Sequence, residues 1–281
     1  MNLASFAIDG RDTWGLVKNG GVVDAGRRLG DRWPRLVDAL VSLDRPDLHE
    51  LQQLPPDHPL EAVRLQLPVQ PGKVFTALLN YEQSRLAQGR PKLAFPHLVT
   101  RFPDCHVAPG APLVKPSQTT EFDFEGEIAV VIGKGGRYIP AADAMKHVAG
   151  LSAYQDATPR DWMRHTRHFT AAKNFPSTAS LGPCIATLDG FDDLGQVTLE
   201  VRLNGETMQG GCLGDLSFSI AELVAYVSRF TPLAPGDVIA TGTPAGSGYK
   251  RMPARFLRSG DVLEVSVSGV GTLCNAVIDE A

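Results

Sequence analysis

The sequence has little cysteine, and its cysteines do not cluster. The four of them are spread over 281 residues, without a Cys-x-x-Cys pair or a Cys/His group. This spacing argues against a zinc knuckle and against a disulfide framework. The N-terminal segment also lacks the charged and apolar regions of a signal peptide. These absences predict a protein of the reducing cytoplasm.

Long apolar runs and basic patches are missing as well. No stretch approaches the roughly 20 apolar residues that a transmembrane helix requires, so no membrane partner is expected. The formal net charge is −4, and no window concentrates lysine and arginine with aromatic residues as a nucleic-acid surface does. Nucleic acid is therefore an unlikely partner as well.

Glycine and proline, by contrast, are plentiful. The chain contains 28 and 21 of them, and both favour many turns between short strands. Residues 1–45 consist of short alternating runs broken by glycine, which predict hairpins, followed by a helix that begins near Pro34. We expect a small N-terminal α+β domain with its linker over residues 1–68.

The rest of the chain predicts mostly strands. From Val69 onward, runs rich in β-branched residues are bounded by Gly, Asp or Asn. One helix is expected to end just before Gly150, and Ser219 with Glu222 forms a capping box for another. The predicted fold class is α+β and rich in β-structure, with a larger domain over residues 69–281.

One predicted strand carries an unusual acidic pattern. The segment FDFEGEIAVV places Asp123, Glu125 and Glu127 at two-residue spacing, and such residues share one face of a strand. A solvated face is the simpler interpretation of an isolated pattern of this kind. Here IAVVIG continues as an apolar run typical of a strand buried on both sides. Carboxylates that enter a buried strand need a cation.

Two further features have simple structural interpretations of their own. Asp156 ends an apolar run, and Pro159 then opens a short turn that contains Arg160. Taken alone, Asp156 would be a helix N-cap. Lys173 lies in a segment of small residues and proline, where a solvent-exposed lysine in a loop is the ordinary expectation.

Taken together and in this order, these segments resemble the fumarylacetoacetate hydrolase family from about Pro71 to Val277. The quoted motifs are FDFEGEIAVVIGKGGRYI, QDATPRDW, the lysine segment followed by SLGP, VRLNGE, LAPGDVIATGTPAGSG and GDVLEVSVSGVGTLCN. Each motif alone is weak, and their order and spacing carry the resemblance. It implies a mixed β-roll-like catalytic domain and a homodimer.

The resemblance also implies a metal site and a substrate site. Glu125 and Glu127 match the family's metal-binding glutamates, Asp156 matches its third ligand, and Asp123 supports them. An oxygen-only ligand set suits Mg²⁺, with Mn²⁺ or Ca²⁺ as alternatives. The expected catalytic and substrate-binding residues at this site are Lys173, Arg160, Tyr81, Thr243 and Met163.

The implied chemistry proceeds through a metal-stabilised enolate of a 2-oxo acid. Hydrolytic C–C cleavage of an acylpyruvate is the leading expectation. Family members with that activity carry a His/Glu pair in the helix after Asn-Tyr, and NYEQSRLA places Ser84 and Ala87 there. The candidate replacement bases are Glu82, His165 and His168. The alternatives are decarboxylation, tautomerisation or hydration through the same enolate, or a metal-binding paralogue without catalysis.

Overall fold

The computed structural model describes residues 1–87 and 89–281. Its strands are β1 (Asn2–Ile8), β2 (Arg11–Lys18), β3 (Gly21–Asp24), β4 (His58–Pro59), β5 (Arg64–Leu65), β6 (Val74–Leu78), β7 (His97–Arg101), β8 (His106–Val107), β9 (Leu113–Lys115), β10 (Phe122–Asp123), β11 (Gly126–Ile132), β12 (Val148–Asp156), β13 (Thr158–Pro159), β14 (Ala179–Thr187), β15 (Thr198–Leu203), β16 (Glu206–Cys212), β17 (Val238–Ala240), β18 (Val262–Val267) and β19 (Gly271–Asp279). Its α-helices are α1 (Ala25–Leu29), α2 (Leu36–Ala39), α3 (Pro46–Glu50), α4 (Glu82–Ala87), α5 (Thr170–Lys173) and α6 (Ile220–Phe230).

Two sheets make up most of the fold. The larger has twelve strands, and its main path runs β4-β3-β2-β1-β14-β12-β11-β17-β6-β7, with β5 paired to β1 and β8 paired to β14. The smaller has five strands in the order β16-β15-β18-β19-β9. Most pairs are antiparallel, and three are parallel: β6 with β17, β8 with β14 and β9 with β19. The predicted α+β, β-rich fold class is confirmed.

The main hydrophobic core lies where these sheets meet. Ile128 and Val130 of β11 belong to the same buried cluster as Val201 of β15 and Val265 of β18. Every residue of β11 and β12 is buried, as expected for strands rich in Val, Ile and Ala that are covered on both faces. These two strands are enclosed between the two layers that cover them.

The N-terminal strands join the larger sheet directly. Asn2 and Leu3 of β1 pair with Ala186 and Ile185 of β14, so the chain's first strand extends the sheet that contains β11 and β12. The predicted helix after Pro34 is present as the short α2. The domain boundary at residue 68 stays a prediction.

The helix predicted to end before Gly150 needs a correction. Ala141–His147 forms a 3₁₀-helix, and β12 already begins at Val148. Gly150 lies inside β12. A Cβ at this position would stand 2.1 Å from the carbonyl oxygen of Ala186 on β14, so a side chain does not fit there. The glycine therefore marks close backbone approach between two strands, a role that a sequence pattern does not separate from that of a helix stop.

The second predicted helix is confirmed. Ser219 caps α6: its hydroxyl accepts a hydrogen bond from the backbone N–H of Glu222, and the Glu222 carboxylate accepts from the backbone N–H of Ser219 at 2.8 Å. With 11 residues, α6 is the longest α-helix in the described part of the chain, and no helix there has the length and apolar character of a membrane span.

Candidate active site

The acidic segment lies where two strands and a short bridge meet. The single strand predicted for it is interrupted: β10 ends at Asp123 and β11 begins at Gly126. The interruption arises because Phe122 and Asp123 pair with β13 in a separate two-stranded sheet, whereas β11 pairs with β12. At the junction, the backbone N–H of Asp156 donates to the carbonyl of Glu125 at 2.9 Å. The end of β12 is thereby fixed beside the start of β11.

Three carboxylates converge at this junction. Glu125, Glu127 and Asp156 each offer an oxygen, and these oxygens all lie within 4.8 Å of one another. All three side chains are buried. The pairing of β11 with β12 therefore brings together the three residues predicted as metal ligands, although Asp156 is distant from the other two in the chain.

Glu127 accepts the fewest hydrogen bonds of the three carboxylates. Its Oε2 accepts one hydrogen bond, from the backbone N–H of Gly242 at 2.9 Å. Burial raises the pKa of Glu127 well above its usual range, and the charges of Asp156 and Glu125 raise it further. A buried carboxylate in this position favours either a proton or a bound cation. Three hard oxygen donors fit a divalent ion such as Mg²⁺, Mn²⁺ or Ca²⁺.

Lys173 contacts the other two carboxylates from inside the protein. Its Nζ donates to Glu125 Oε2 at 2.6 Å, to Thr158 Oγ1 at 2.8 Å and to Asp156 Oδ2. The side chain is fully buried at the end of α5, so the expectation of an exposed loop lysine is wrong. Lys173 can be buried because its ammonium group donates to two carboxylates and a hydroxyl, and these interactions offset the free-energy cost of removing the charge from water.

Two arginines complete the arrangement. Arg160 donates to Glu125 Oε1 at 2.6 Å and to Asp123 Oδ2 at 2.8 Å. Arg101 donates from Nε to Asp156 Oδ1 and from Nη1 to Thr178 Oγ1 at 3.0 Å. Burial alone would raise the pKa of Glu125, but Arg160 and Lys173 outweigh it and hold that pKa below its usual range.

We call this group of side chains the charged cluster. Its members are Asp123, Glu125, Glu127, Asp156, Arg101, Arg160 and Lys173. With each side chain counted in its ordinary charge state at pH 7, four carboxylates and three cationic groups leave one formal negative charge. A buried site with residual negative charge attracts a cation.

A cavity of about 460 Å³ opens above part of the charged cluster. Glu125, Glu127 and Arg160 line it, as do the predicted substrate-binding residues Thr243 and Met163. Its other walls are largely apolar, with contributions from Leu78, Leu79, Phe169 and Pro244. An apolar pocket with a few convergent charged groups is typical of a small-molecule site.

The comparison with protein families decides the assignment. Residues 73–278 match the family model described as fumarylacetoacetate (FAA) hydrolase C-terminal. The chain belongs to the fumarylacetoacetate hydrolase family. The resemblance drawn from the sequence motifs is therefore confirmed.

Named relatives of this fumarylacetoacetate hydrolase family member differ in reaction. Oxaloacetate tautomerase FAHD2A, mitochondrial, from Homo sapiens is 37% identical over 223 residues, which are 78% of this chain and 71% of the relative. The solved fumarylacetoacetate hydrolase from Exiguobacterium antarcticum is 31% identical with a TM-score of 0.84. Maleylpyruvate hydrolase from Sphingobium sp. SYK-6, solved with manganese(II) and pyruvate, is 25% identical with a TM-score of 0.83. Both structural comparisons cover 100% of each chain.

The family's His and Glu positions in this fumarylacetoacetate hydrolase homologue face the same cavity. Ser84 and Ala87 of α4 both line it. Glu82, one candidate replacement base, is not among the described lining residues; its carboxylate accepts hydrogen bonds from Ser217 and Arg85. Its catalytic role stays a prediction.

Other predicted residues lie away from the cavity wall of this family member. His165 and His168 are exposed, and the His165 ring lies 4.6 Å from the Trp162 ring. Tyr81 is buried. None of these three, nor Lys173, is among the described residues that line the cavity. Their catalytic or substrate-binding roles stay predictions.

Sequence analysis missed two residues of this family member's site. Arg101 gave only a weak signal, an arginine at the end of a run of strand-forming residues, HLVTR. His97 begins the same strand, β7, and lines the cavity. Each reaches the site through pairing of β7 with β6, a contact that local sequence patterns do not reveal.

Proposed function

We propose that this protein is a divalent-metal-dependent enzyme that interconverts the keto and enol forms of a 2-oxo acid. The observation that carries the proposal is the set of three buried carboxylates, within 4.8 Å of one another, at a cavity of about 460 Å³. Similarity to a relative named oxaloacetate tautomerase supports the reaction type. The fold alone would not, since one fold hosts many reactions.

Glu125, Glu127 and Asp156 would hold the metal, for which Mg²⁺ is our first choice and Mn²⁺ or Ca²⁺ are alternatives. A bound dication supplies Lewis acidity that stabilises the negative charge developing on the substrate's oxo oxygen. The charged cluster carries one formal negative charge without it. A dication and one substrate carboxylate would together bring the sum to zero, which suits burial.

The protein's own side chains prepare this site. Arg160 and Lys173 each hold one oxygen of Glu125, and Arg101 holds Oδ1 of Asp156. The carboxylates are therefore oriented before any ligand enters, which avoids reorganisation during the reaction. Leu79 and Phe169 on the wall exclude water from the reacting carbon and strengthen electrostatic interactions at the site.

Hydrolytic C–C cleavage of an acylpyruvate is the second candidate. Similarity to maleylpyruvate hydrolase, solved with manganese(II) and pyruvate, favours it. It requires an activated water, and Ser84 and Ala87 offer neither an imidazole nor a carboxylate at the positions where acylpyruvate hydrolases of this family carry them. We therefore place tautomerisation first, although the sequence alone favoured hydrolysis. Decarboxylation and hydration use the same enolate and belong in the same test.

A substrate panel separates these reactions. Purified protein with Mn²⁺ is expected to accelerate the decay of the enol absorbance of oxaloacetate, without loss of carbon dioxide. Release of pyruvate and a second acid from an acylpyruvate would instead identify a hydrolase. Chelator and the Glu127→Gln variant serve as controls. Rates no higher than with Mn²⁺ alone on every 2-oxo acid in the panel would contradict the proposal and favour a metal-binding paralogue.

The homodimer and the cytoplasmic location stay predictions. The names of several relatives contain the word mitochondrial, which describes those proteins. Sedimentation of the purified protein would test the first prediction, and imaging in the native cell would test the second.

A further inference from the structure

The cavity wall contains an imidazole that the family resemblance does not assign. His97 begins β7 and pairs with Leu78 at the end of β6, and both residues line the cavity together with Glu125 and Glu127. The His97 ring lies 6.2 Å from the ring of Phe169, at an interplanar angle of 33°. His97 is otherwise exposed, so its ring is accessible from the cavity.

The remaining titratable groups on the wall are unsuited to accepting a proton. Arg90, Arg160 and Lys250 line the cavity, and arginine and lysine side chains already carry their proton at neutral pH. Tyr249 lies with its ring centre 4.1 Å from Cζ of Arg160. Burial raises the pKa of Tyr249, so the phenol keeps its proton. Glu125 and Glu127 are the proposed metal ligands.

His97, in contrast, is suited to accept one. Neither of its ring nitrogens makes a hydrogen bond to another residue among those the structure describes. Burial lowers the pKa of His97 below its usual value of 6.5, which favours the neutral ring at pH 7. A neutral imidazole on the wall of a candidate substrate cavity has a nitrogen lone pair that can accept a proton, as a general base requires.

We propose that His97 is the catalytic group that moves the proton between carbon and oxygen, an inference that rests on the proposed function. A ring nitrogen removes a proton from C3 of the 2-oxo acid. The C3–H electron pair becomes the C2=C3 double bond, and the carbonyl π pair moves to the oxo oxygen. The imidazolium returns the proton to that oxygen, which yields the enol and the neutral ring. The reverse sequence gives the keto form, and no other reactant is consumed.

Two variants and a matched histidine control test the assignment. We expect His97→Gln and His97→Ala to lower kcat for oxaloacetate tautomerisation on the order of 100-fold, the usual contribution of general acid–base catalysis. Added imidazole is expected to restore part of the His97→Ala rate. Mn²⁺ affinity, measured by calorimetry, is expected to stay within twofold of wild type in both. His49→Gln removes an exposed histidine of α3 outside the cavity and is expected to keep the wild-type rate.

The outcomes distinguish this inference from the proposed function. An active wild type with His97→Gln and His97→Ala rates within threefold of it overturns the role of His97 and leaves the tautomerase intact. Equal loss of Mn²⁺ affinity and rate, without rescue by imidazole, shows a structural role and also overturns it. A wild type without activity on the panel overturns the proposed function and this inference together.

Discussion

Two buried carboxylates of this protein, Asp24 and Glu127, have opposite surroundings. Asp24 lies at the end of β3, where its Oδ1 accepts hydrogen bonds from Thr13 Oγ1 at 2.8 Å and from the backbone N–H of Arg27 at 2.9 Å. Arg11 donates to its other oxygen. Glu127 has one backbone donor and two carboxylate neighbours. Burial would raise the pKa of both, and only Asp24 has partners that outweigh it and lower its pKa.

The difference distinguishes a carboxylate that stabilises the fold from one that is free to bind a cation. Asp24 caps α1 and connects it to β2 by hydrogen bonds, so both of its oxygens already have structural partners. Glu127 keeps unused acceptor capacity beside a cavity, and this capacity is available to a cation. The number and type of partners, not burial alone, predict which role a buried carboxylate has.

The largest expected effect concerns an arginine partner of each site. Arg101→Met leaves one oxygen of the fully buried Asp156 without its cation, and we expect a loss of about 3–5 kcal/mol in the free energy of unfolding. Arg11→Met, the matched control, removes a partly exposed partner of Asp24 and is expected to cost about 1 kcal/mol or less. Denaturant unfolding in chelator measures both. Equal losses would break the distinction between the two sites.

The next effect concerns cation binding. Glu127→Gln is expected to weaken Mn²⁺ binding by at least about 100-fold, more than the change of an outer partner of a metal site. The metal-free variant is expected to melt at or above the wild-type temperature, because a neutral amide replaces a carboxylate with too few donors. Calorimetric titration and thermal melting in chelator provide the two readings. Unchanged Mn²⁺ affinity would remove Glu127 from the ligand set.

Asp24→Asn is expected to give the reverse result. The amide oxygen can still cap α1, but the NH₂ group replaces the oxygen that accepts from Arg11 and the charge-assisted hydrogen bond is lost, so we expect the free energy of unfolding to fall by about 1–2 kcal/mol. Mn²⁺ affinity and activity are expected to match those of the wild type. A variant that loses Mn²⁺ binding would show that the N-terminal strands act on the metal site.

The smallest effect at neutral pH tests a half-buried histidine, His106. The His106 ring donates from Nδ1 to the Pro103 carbonyl and accepts from the Tyr154 hydroxyl at 2.8 Å. Burial, with a contribution from Arg101, lowers the pKa of His106 from 6.5 to about 4. As pH falls from about 6.5 to about 4, the unfolded chain binds the proton first, so stability is lost.

The His106→Gln variant isolates that loss. When the pH is lowered from 7 to 5, we expect the wild type to lose on the order of 1–2 kcal/mol more free energy of unfolding than the variant. Denaturant unfolding at the two pH values measures it. A difference that does not change with pH would mean that His106 titrates alike in the folded and unfolded chains.

Local patterns predicted the parts of the molecule that depend on neighbours in the chain. The two-residue spacing of Glu125 and Glu127 and the Ser219 cap are of this kind. Lys173 and Arg101 were misjudged or missed because their burial depends on the position of α5 and β7 against the ends of β11 and β12. Such long-range placement leaves no local periodicity in the sequence. The interruption between β10 and β11 has the same origin, since it follows from pairing with β13.

Lys173 is also a built-in probe of local opening. Amine-reactive reagents modify exposed amines, and the fully enclosed Nζ of Lys173 is out of their reach in the folded protein, whereas Lys250 is exposed. The rate at which Lys173 becomes labelled, followed by mass spectrometry, therefore measures how often α5 separates from the strands beneath it. A divalent cation that binds the neighbouring carboxylates is expected to lower this labelling rate, so the rate would show whether the metal site is occupied in the absence of substrate.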